Sequence, residues 1–415
     1  MHSDNVKIAY LNKEQQVWFI RASSGIYAKN FKHGGMIAIK HLEEALGGRV
    51  GDSLPTEEEI RAALLQNDKY YEFVEDNKTN KRTKTLNRSG SMLLGQIKRF
   101  ANDIKAGDIV VTKNEANGYN IGICTNSDAY IDHAPVELPK ENEDSPKLPV
   151  LKYKLRKKVV WGPSIHGKNL PHTVRRATRG QQTISNLSDH RVKIFHLIYP
   201  FFTDGEFLYF SNKIRKQGDI NALVIGKLFE NVSLAEKFIE ALTSDEEVKI
   251  DEIASQLSKA IFEDGNFVAC QAEFMSPGDM WCKIPLSEFK ELIPQLSAGV
   301  LVCLLLTGQA DAAQLDKISD VSAQAVAELQ INDDSPSTPM FKEKFKAAEP
   351  STALKDLANR LKSKSKEIER LESKRSTKEV RENLRLDMTS VDTSRLEQFN
   401  YGINIIELRG LDEAD

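Results

Sequence analysis

The sequence predicts an α+β protein. A curved, mostly antiparallel sheet with helices packed at its ends fills residues 1–192, and a second α+β domain follows over 193–331. Past a linker at 332–352, a charged helical segment covers 353–415. Three observations carry this division. Apolar runs of strand length alternate with capped helical stretches in the first part; the chain turns to longer apolar helices after Lys193; and it becomes strongly charged from about residue 353.

The elements follow in order. "VWFI" (17–20) and "MIAI" (36–39) read as strands, with a glycine-bearing loop, "SSGIYAKNFKHGG", between them. Thr56 and Glu59 have capping-box spacing ahead of Ile60, Leu64 and Leu65, which predicts a helix. A second helix is expected over Met92–Ile104, with Leu93, Ile97 and Phe100 on one side. Gly107 and Asp108 turn the chain into a strand at Ile109–Thr112, and "NEANG" leads to another at Tyr119–Thr125. After an acidic loop (Asp132–Pro149), "LKYKLRKKVVW" alternates as a strand does.

In the second part, "IFHLIYPFFTDGEFLYF" reads as a hairpin turning at Asp204 and Gly205. Helices are expected over Ile220–Phe229, Leu234–Leu242 (capped by Ser233 with Glu236), Asp251–Phe262 and from Ser287 to about Leu306. "GNFVACQAEFMSPGDMWCKI" gives two strands about a Ser-Pro-Gly-Asp turn. Farther on, Leu354, Leu357, Leu361, Ile368 and Leu371 fall on heptad positions that Lys364 and Arg375 interrupt. Residues 353–395 are therefore read as a docking or self-association helix, against the alternative that they fold back on their own domain. "YGINIIEL" is expected to add an edge strand.

Composition narrows the classes. The formal net charge of −3 gives no whole-protein attraction to nucleic acid, so any basic surface must be local. Cys124, Cys270, Cys282 and Cys303 form neither C-x-x-C pairs nor metal-spaced sets with histidine, so no metal site and no cofactor are expected. The start of the chain has no signal-peptide pattern, and the longest apolar stretch, Ala298–Leu306, is about half a membrane span. A cytoplasmic protein with reduced thiols and no membrane partner is expected.

One stretch departs from that average. Between Lys152 and Lys193 there are eleven basic residues and one acidic residue, Asp189, a net +10 that leaves −13 on the remainder. Such a density neutralises phosphates and releases counterions, and Tyr153, Trp161, His166 and His172 lie within it as groups able to stack on or bond to bases. The plain alternative is a solvated charged face. Trp18 and Trp161 suit a core as well as a cage, and His166 and His172 suit an ordinary surface. Arg21, after a strand and beside Ser-Ser-Gly, suits a pocket or a phosphate.

Four blocks carry a resemblance: "VWFIRASSGIYAKNFKHGGMIAI", "LGQIKRFANDIKAGDIVVT", "YNIGICT" and "RKKVVWGPSIHGKNLPHTVRRATRGQQTISNL". In this order they resemble the N-terminal sensor domain of modification-dependent, Mrr-like restriction proteins, related to the EVE, YTH and PUA-like group. Trp18, Arg21, Ala22, Gly25, Gly34, Gly35, Gly107, Asp108, Val159 and Trp161 stand at its motif positions, while Lys40 and His41 replace a glycine and a tryptophan. The resemblance implies a PUA-like barrel whose pocket receives a base, modified or not, flipped from duplex DNA at a cost of a few kcal/mol. Trp18, Arg21, Ser23, Ser24, Gly25 and Trp161 are its base-pocket residues. Lys154, Arg156, Lys157, Lys158, Lys168, Arg175, Arg176 and Arg179 are expected on the nucleic-acid backbone.

The expectation is a DNA-binding sensor of prokaryotic anti-phage defence, coupled through its later domains to an effector or a partner defence protein. Two alternatives stay open. One is a Mg²⁺-dependent restriction endonuclease using Asp279, Glu288 and Lys290, whose spacing fits but whose segment "PLSEFKELIPQL" has helical periodicity. The other is a scaffold that binds no nucleic acid.

Overall fold

A computed structural model of the chain describes residues 5–76, 81–139, 148–242, 249, 252, 269–272, 278–286, 292–307, 327–330, 359–360, 363–389, 391–398 and 403–409. Its mixed α+β elements begin with β1 (Asn5–Tyr10), β2 (Val17–Ile20), α1 (Ala28–His33), β3 (Met36–Ile39), α2 (His41–Ala45) and α3 (Glu57–Leu64). The hairpin β4 (Tyr71–Asp76) and β5 (Lys81–Leu86) precedes α4 (Arg88–Lys98), β6 (Ile109–Lys113), β7 (Gly118–Cys124) and β8 (Tyr130–Ile131). Next come β9 (Leu155–His166), α5 (His172–Ala177), β10 (Ile184–Asn186), α6 (Arg191–Ile198), β11 (Phe201–Thr203), β12 (Phe207–Ile214) and α7 (Ala222–Leu242). The later elements are β13 (Ala269–Ala272), β14 (Gly278–Pro285), α8 (Leu292–Thr307), β15 (Ala327–Gln330), α9 (Ser365–Ser373), α10 (Arg375–Leu384), β16 (Leu386–Met388), α11 (Ser394–Gln398) and β17 (Asn404–Arg409). No helix among the described residues is long and apolar enough to cross a membrane.

The chain divides into two compact units. The first gathers Glu14–Lys193 with Asp392–Gly402. Its sheet runs β10-β2-β6-β7-β9-β3, with β8 also on β9, and it curls into a half-barrel whose end strands β10 and β3 do not meet. β2 and β6 are parallel and the other pairs are antiparallel. The long β9 makes the curl, pairing with β7 through Val159–His166 and with β3 through Leu155–Lys158.

Local signals place the helices of this unit. The Thr56 hydroxyl accepts from the Glu59 N–H at 3.3 Å, and the Thr56 N–H donates to the Glu59 carboxylate at 2.7 Å, so the expected capping box starts α3. The Asn87 side chain accepts from Gly90 N–H at 2.9 Å and starts α4 four residues earlier than Met92, after which a π-helical turn over Arg99–Asp103 ends it. The segment between "VWFI" and "MIAI" contains α1, so those strands take separate places in the sheet. β2, β3, β6 and β7 are almost wholly buried, which is why they read as apolar runs and not as alternation. Phe31, Ile37, Leu64, Ile97, Phe100 and Val110 form the core around them.

The second unit gathers Met1–Lys13, Ile194–Val391 and Ile403–Asp415. Its sheet runs β13-β14-β12-β11-β1-β17-β15, with β16 on β12. The first strand therefore leaves the 1–192 region of the sequence division: Ile8 is fully buried between Phe201 of β11 and Ile406 of β17. β17 is interior, flanked by β1 and β15, and not the expected edge strand. The turn at Asp204 and Gly205 joins β11 to β12, while "IFHLI" ends α6 and does not extend the hairpin.

Where the sequence predicts two helices, the single α7 runs through Ser233. Capping-box spacing is a local signal. Here Val224, Leu228, Val232, Phe238, Ile239 and Leu242 enter the core across the supposed break, and burying them outweighs a serine in a helix interior.

Ile368 and Leu371 of α9 and Val380 and Leu384 of α10 are buried in the same core, so this part of the charged segment folds back on its own unit. That overturns the preference for a docking helix over these residues, because the apolar seam is already covered. Lys374 pairs with Glu230 of α7 at 3.2 Å, and Lys227 pairs with Glu379. Leu354, Leu357 and Leu361, the 332–352 linker, most of the 251–262 helix, and Glu288 and Lys290 lie outside the described residues.

Candidate nucleic-acid interface

Four segments of the Glu14–Lys193 unit converge on a cavity of about 590 Å³, a size usual for ligand sites. The end of β2 brings Phe19 and Arg21, followed by Ala22, Ser24 and Gly25; the β6–β7 turn brings Lys113, Asn117 and Tyr119. The end of β9 and the turn after it bring His166, Gly167 and Lys168, and α5 with its exit brings Arg175, Thr178 and Arg179.

Close backbone approach holds these segments together. Ser23, Ser24 and Gly25 lie in succession at positive φ (49°, 59° and 103°), a strained turn for two serines. A Cβ on Gly25 would stand 2.9 Å from the Asn114 carbonyl carbon, and one on Gly167 would stand 2.2 Å from the Asn117 carbonyl oxygen. Only glycine admits both approaches. The Asn114 side chain closes the β6–β7 turn by accepting from Gly118 N–H at 2.8 Å, and Gly167 N–H donates to the Asn117 carbonyl at 3.0 Å. Tyr119 is tied across the floor through its hydroxyl to Thr178 Oγ1 at 3.0 Å.

The electrostatics are one-sided. Arg21, Lys113, Lys168, Arg175 and Arg179 line the cavity, and no aspartate or glutamate does. The Arg21 guanidinium is oriented by donating through Nη2 to the Gly180 carbonyl. The Nε–H groups of Arg21 and Arg175 are buried and have no acceptor among the described residues. None of the five cations has a carboxylate within ion-pair distance among the described residues. A lining of this charge is complementary to an anion.

The residues expected at the site separate into two groups. Arg21, Ser24, Gly25, Lys168, Arg175 and Arg179 come together, as expected for one surface. Trp18 does not: its side chain is buried and its indole N–H donates to Asp108 Oδ2 at 2.9 Å. Trp161 is likewise a core residue, donating to the Phe31 carbonyl at 2.9 Å. An indole cage is therefore corrected to two structural tryptophans. Ser23 and Arg176 are outside the cavity wall, and so is Lys158. Lys154 is half-buried, with its backbone N–H on Glu43 Oε1 at 2.7 Å.

Two expected phosphate ligands are buried and spent internally. Arg156 forks onto Asp132 at 2.6 Å, the Tyr153 carbonyl at 2.8 Å and the Ala134 carbonyl. Lys157 is wholly buried with Nζ on the carbonyls of Ile104, at 2.6 Å, and Ser127, and burial pulls its pKa below the ordinary lysine value. β9 is covered on both faces at this point, so two adjacent cations both point into protein and must find partners there.

At the departure from the family motif, Lys40 is salt-bridged to Glu44 at 2.6 Å, and His41 Nε2 lies 3.2 Å from Thr183 Oγ1. Burial lowers the His41 pKa, which favours a neutral ring at neutral pH.

Sequence reasoning misses Lys113, Tyr119, Phe19 and Thr178. The signal for Phe19 is strand parity: positions 19 and 21 have the same parity along β2 and its extension, where Arg21 N–H donates to the Thr183 carbonyl at 2.9 Å, whereas 18 and 21 do not. Lys113 is opposite Tyr119 in the β6–β7 ladder, beside the "NEANG" turn that reads in sequence only as a connection.

In the second unit, Asp279 is ion-paired with Lys213 at 3.3 Å between neighbouring strands. No group of three His, Cys, Asp or Glu side chains among the described residues is placed to hold a metal. The four cysteines are free thiols. Comparison of the chain with protein-family models, with characterised proteins and with solved structures finds no match.

Proposed function

We propose that the protein is a nucleic-acid sensor of prokaryotic anti-phage defence, and that its Glu14–Lys193 unit grips DNA at the cationic cavity. One observation carries this reading: Arg21, Lys113, Lys168, Arg175 and Arg179 share a walled space that no carboxylate enters. Concentrating five like charges is unfavourable unless the ligand brings the opposite charge, and phosphates do so with counterion release. The resemblance to EVE and PUA-like sensor domains supports a sensing role and an open curled sheet, with the arginine-lined cavity taking the place of an indole cage. Residues 194–391 then carry the effector or partner-binding role.

The test is equilibrium binding of the full chain to DNA single strands and duplexes, with and without modified bases, across a salt series. Five engaged phosphates predict a log–log slope of about −3.5 on single strands and about −4.5 on duplexes. Affinity that is weak and independent of salt contradicts the proposal and leaves the scaffold reading.

A further inference from the structure

We infer that the cavity is shaped for the polyphosphate of a nucleoside 5′-di- or triphosphate, presented by the 5′ end of a strand or by a free nucleotide. A flipped base and an internal phosphodiester fit it less well. The inference rests on the reading of this cavity as a nucleic-acid site and specifies which part of the ligand enters it.

The charge count is the first ground. Five cations line one solvent-open cavity of about 590 Å³, and no acidic side chain lines it. An internal phosphodiester carries one negative charge, and its neighbours sit a nucleotide away along the strand. A terminal triphosphate concentrates several charges within one such volume, matching cations that arrive from four separate segments.

The second ground is what the lining withholds. A flipped base is held by stacking between aromatic faces and by hydrogen bonds to its edge. Trp18 and Trp161 lie in the core, and the cavity's own aromatics, Phe19 and Tyr119, are only 2% and 7% exposed. The Tyr119 hydroxyl is already engaged with Thr178. Among the lining residues the exposed His166 imidazole, whose Nδ1 accepts from Lys168 N–H at 3.1 Å, is left as a ring face, with no second ring exposed opposite it to sandwich a base, while guanidinium and ammonium groups are plentiful.

The third ground is unmet donor capacity. The Nε–H groups of Arg21 and Arg175 are buried without an acceptor among the described residues, an arrangement that is costly unless an oxygen reaches them. The close approaches at Gly25 and Gly167 fix the walls in advance, so little ordering is needed on binding. With no carboxylate in the lining to hold Mg²⁺ or activate water, the arrangement is one for binding the group.

The experiment measures affinity of the full chain, at one fixed salt concentration, for a DNA strand of about 12 nucleotides bearing either a 5′-triphosphate or a 5′-hydroxyl, and for free ATP. The triphosphate strand is expected to bind roughly tenfold more tightly than its hydroxyl counterpart. Arg175→Ala should weaken both strands but the triphosphate strand more, bringing the ratio between them close to one. The exposed Arg179→Ala serves as a second variant, with circular dichroism checking that both fold. ATP binding as tightly as the triphosphate strand supports the inference and assigns the free nucleotide as the source; a strong preference for the strand assigns the 5′ end. Equal affinity for both strands with no ATP binding overturns the inference while nucleic-acid binding stands. ATP binding with neither strand bound supports it and overturns the strand-sensing function. No binding of any probe overturns both.

Discussion

The indole N–H of Trp18 donates to the carboxylate of Asp108 at 2.9 Å, and the same carboxylate accepts backbone N–H groups from Gln16 at 3.1 Å and Lys105 at 2.8 Å. Two residues of the sequence motif thereby join β2 to the turn that opens β6. Desolvation raises the Asp108 pKa despite these bonds, as expected of an acid placed there for its acceptors and not for exchange with solvent.

Trp18→Phe removes the indole donor and keeps most of the apolar volume. We expect a loss of about 1–2 kcal/mol of stability, read from urea midpoints, from the unmade bond to a buried carboxylate. DNA affinity should stay within about twofold, a change worth well under 1 kcal/mol. A loss of affinity without a loss of stability would restore the cage reading of Trp18.

Gly167→Ala places a methyl group 2.2 Å from the Asn117 carbonyl oxygen, which is backbone and cannot rotate aside. The β6–β7 turn or the end of β9 must then move. The expected cost is about 1–3 kcal/mol, together with weaker ligand binding because Lys113 and Lys168 separate. A variant of unchanged stability and affinity contradicts the close approach.

His196 is expected to contribute to the acid sensitivity of the second unit. Its ring stacks on Trp281 with centroids 4.9 Å apart, faces the edges of Phe202 and Tyr209, and has Nδ1 2.8 Å from Ser211 Oγ. Burial pushes its pKa down to about 3. The unfolded chain takes up this proton near pH 6.5 and the fold does not, so the contribution is complete above pH 6.5 and is lost as pH falls from there toward 3. Between pH 6.5 and 4 the loss should reach about 3 kcal/mol. Urea titrations across that range check it, and His196→Gln should flatten the profile. An equally steep profile in the variant contradicts the assignment.

Much of the fold is legible in the sequence because its signals are local. The capping pair Thr56 and Glu59, the strands at 17–20, 36–39 and 109–112, and the Asp204–Gly205 turn each announce themselves within a few residues. What fails depends on distant partners. Whether β17 is an edge or an interior strand rests on β1, some four hundred residues away. Whether Ser233 ends a helix depends on the core that its neighbours join.

At the site, the basic run around α5 is readable as charge, but sequence does not separate Lys157 and Arg156, which face protein, from Lys168, Arg175 and Arg179, which face the cavity. Charge density marks a region, and burial decides which members of it meet a ligand. Strand parity alone detaches Trp18 from Arg21.

On the proposed reading, Arg175 and Arg179 meet phosphate in the cavity while the buried Lys157 does not. The most direct measurement is the salt dependence of DNA binding for the full chain and for the Arg175→Ala/Arg179→Ala double variant. The log–log slope should flatten by about two in the double variant, one unit for each phosphate no longer neutralised, with affinity falling at every salt concentration. A double variant with the slope and affinity of the parent contradicts the account.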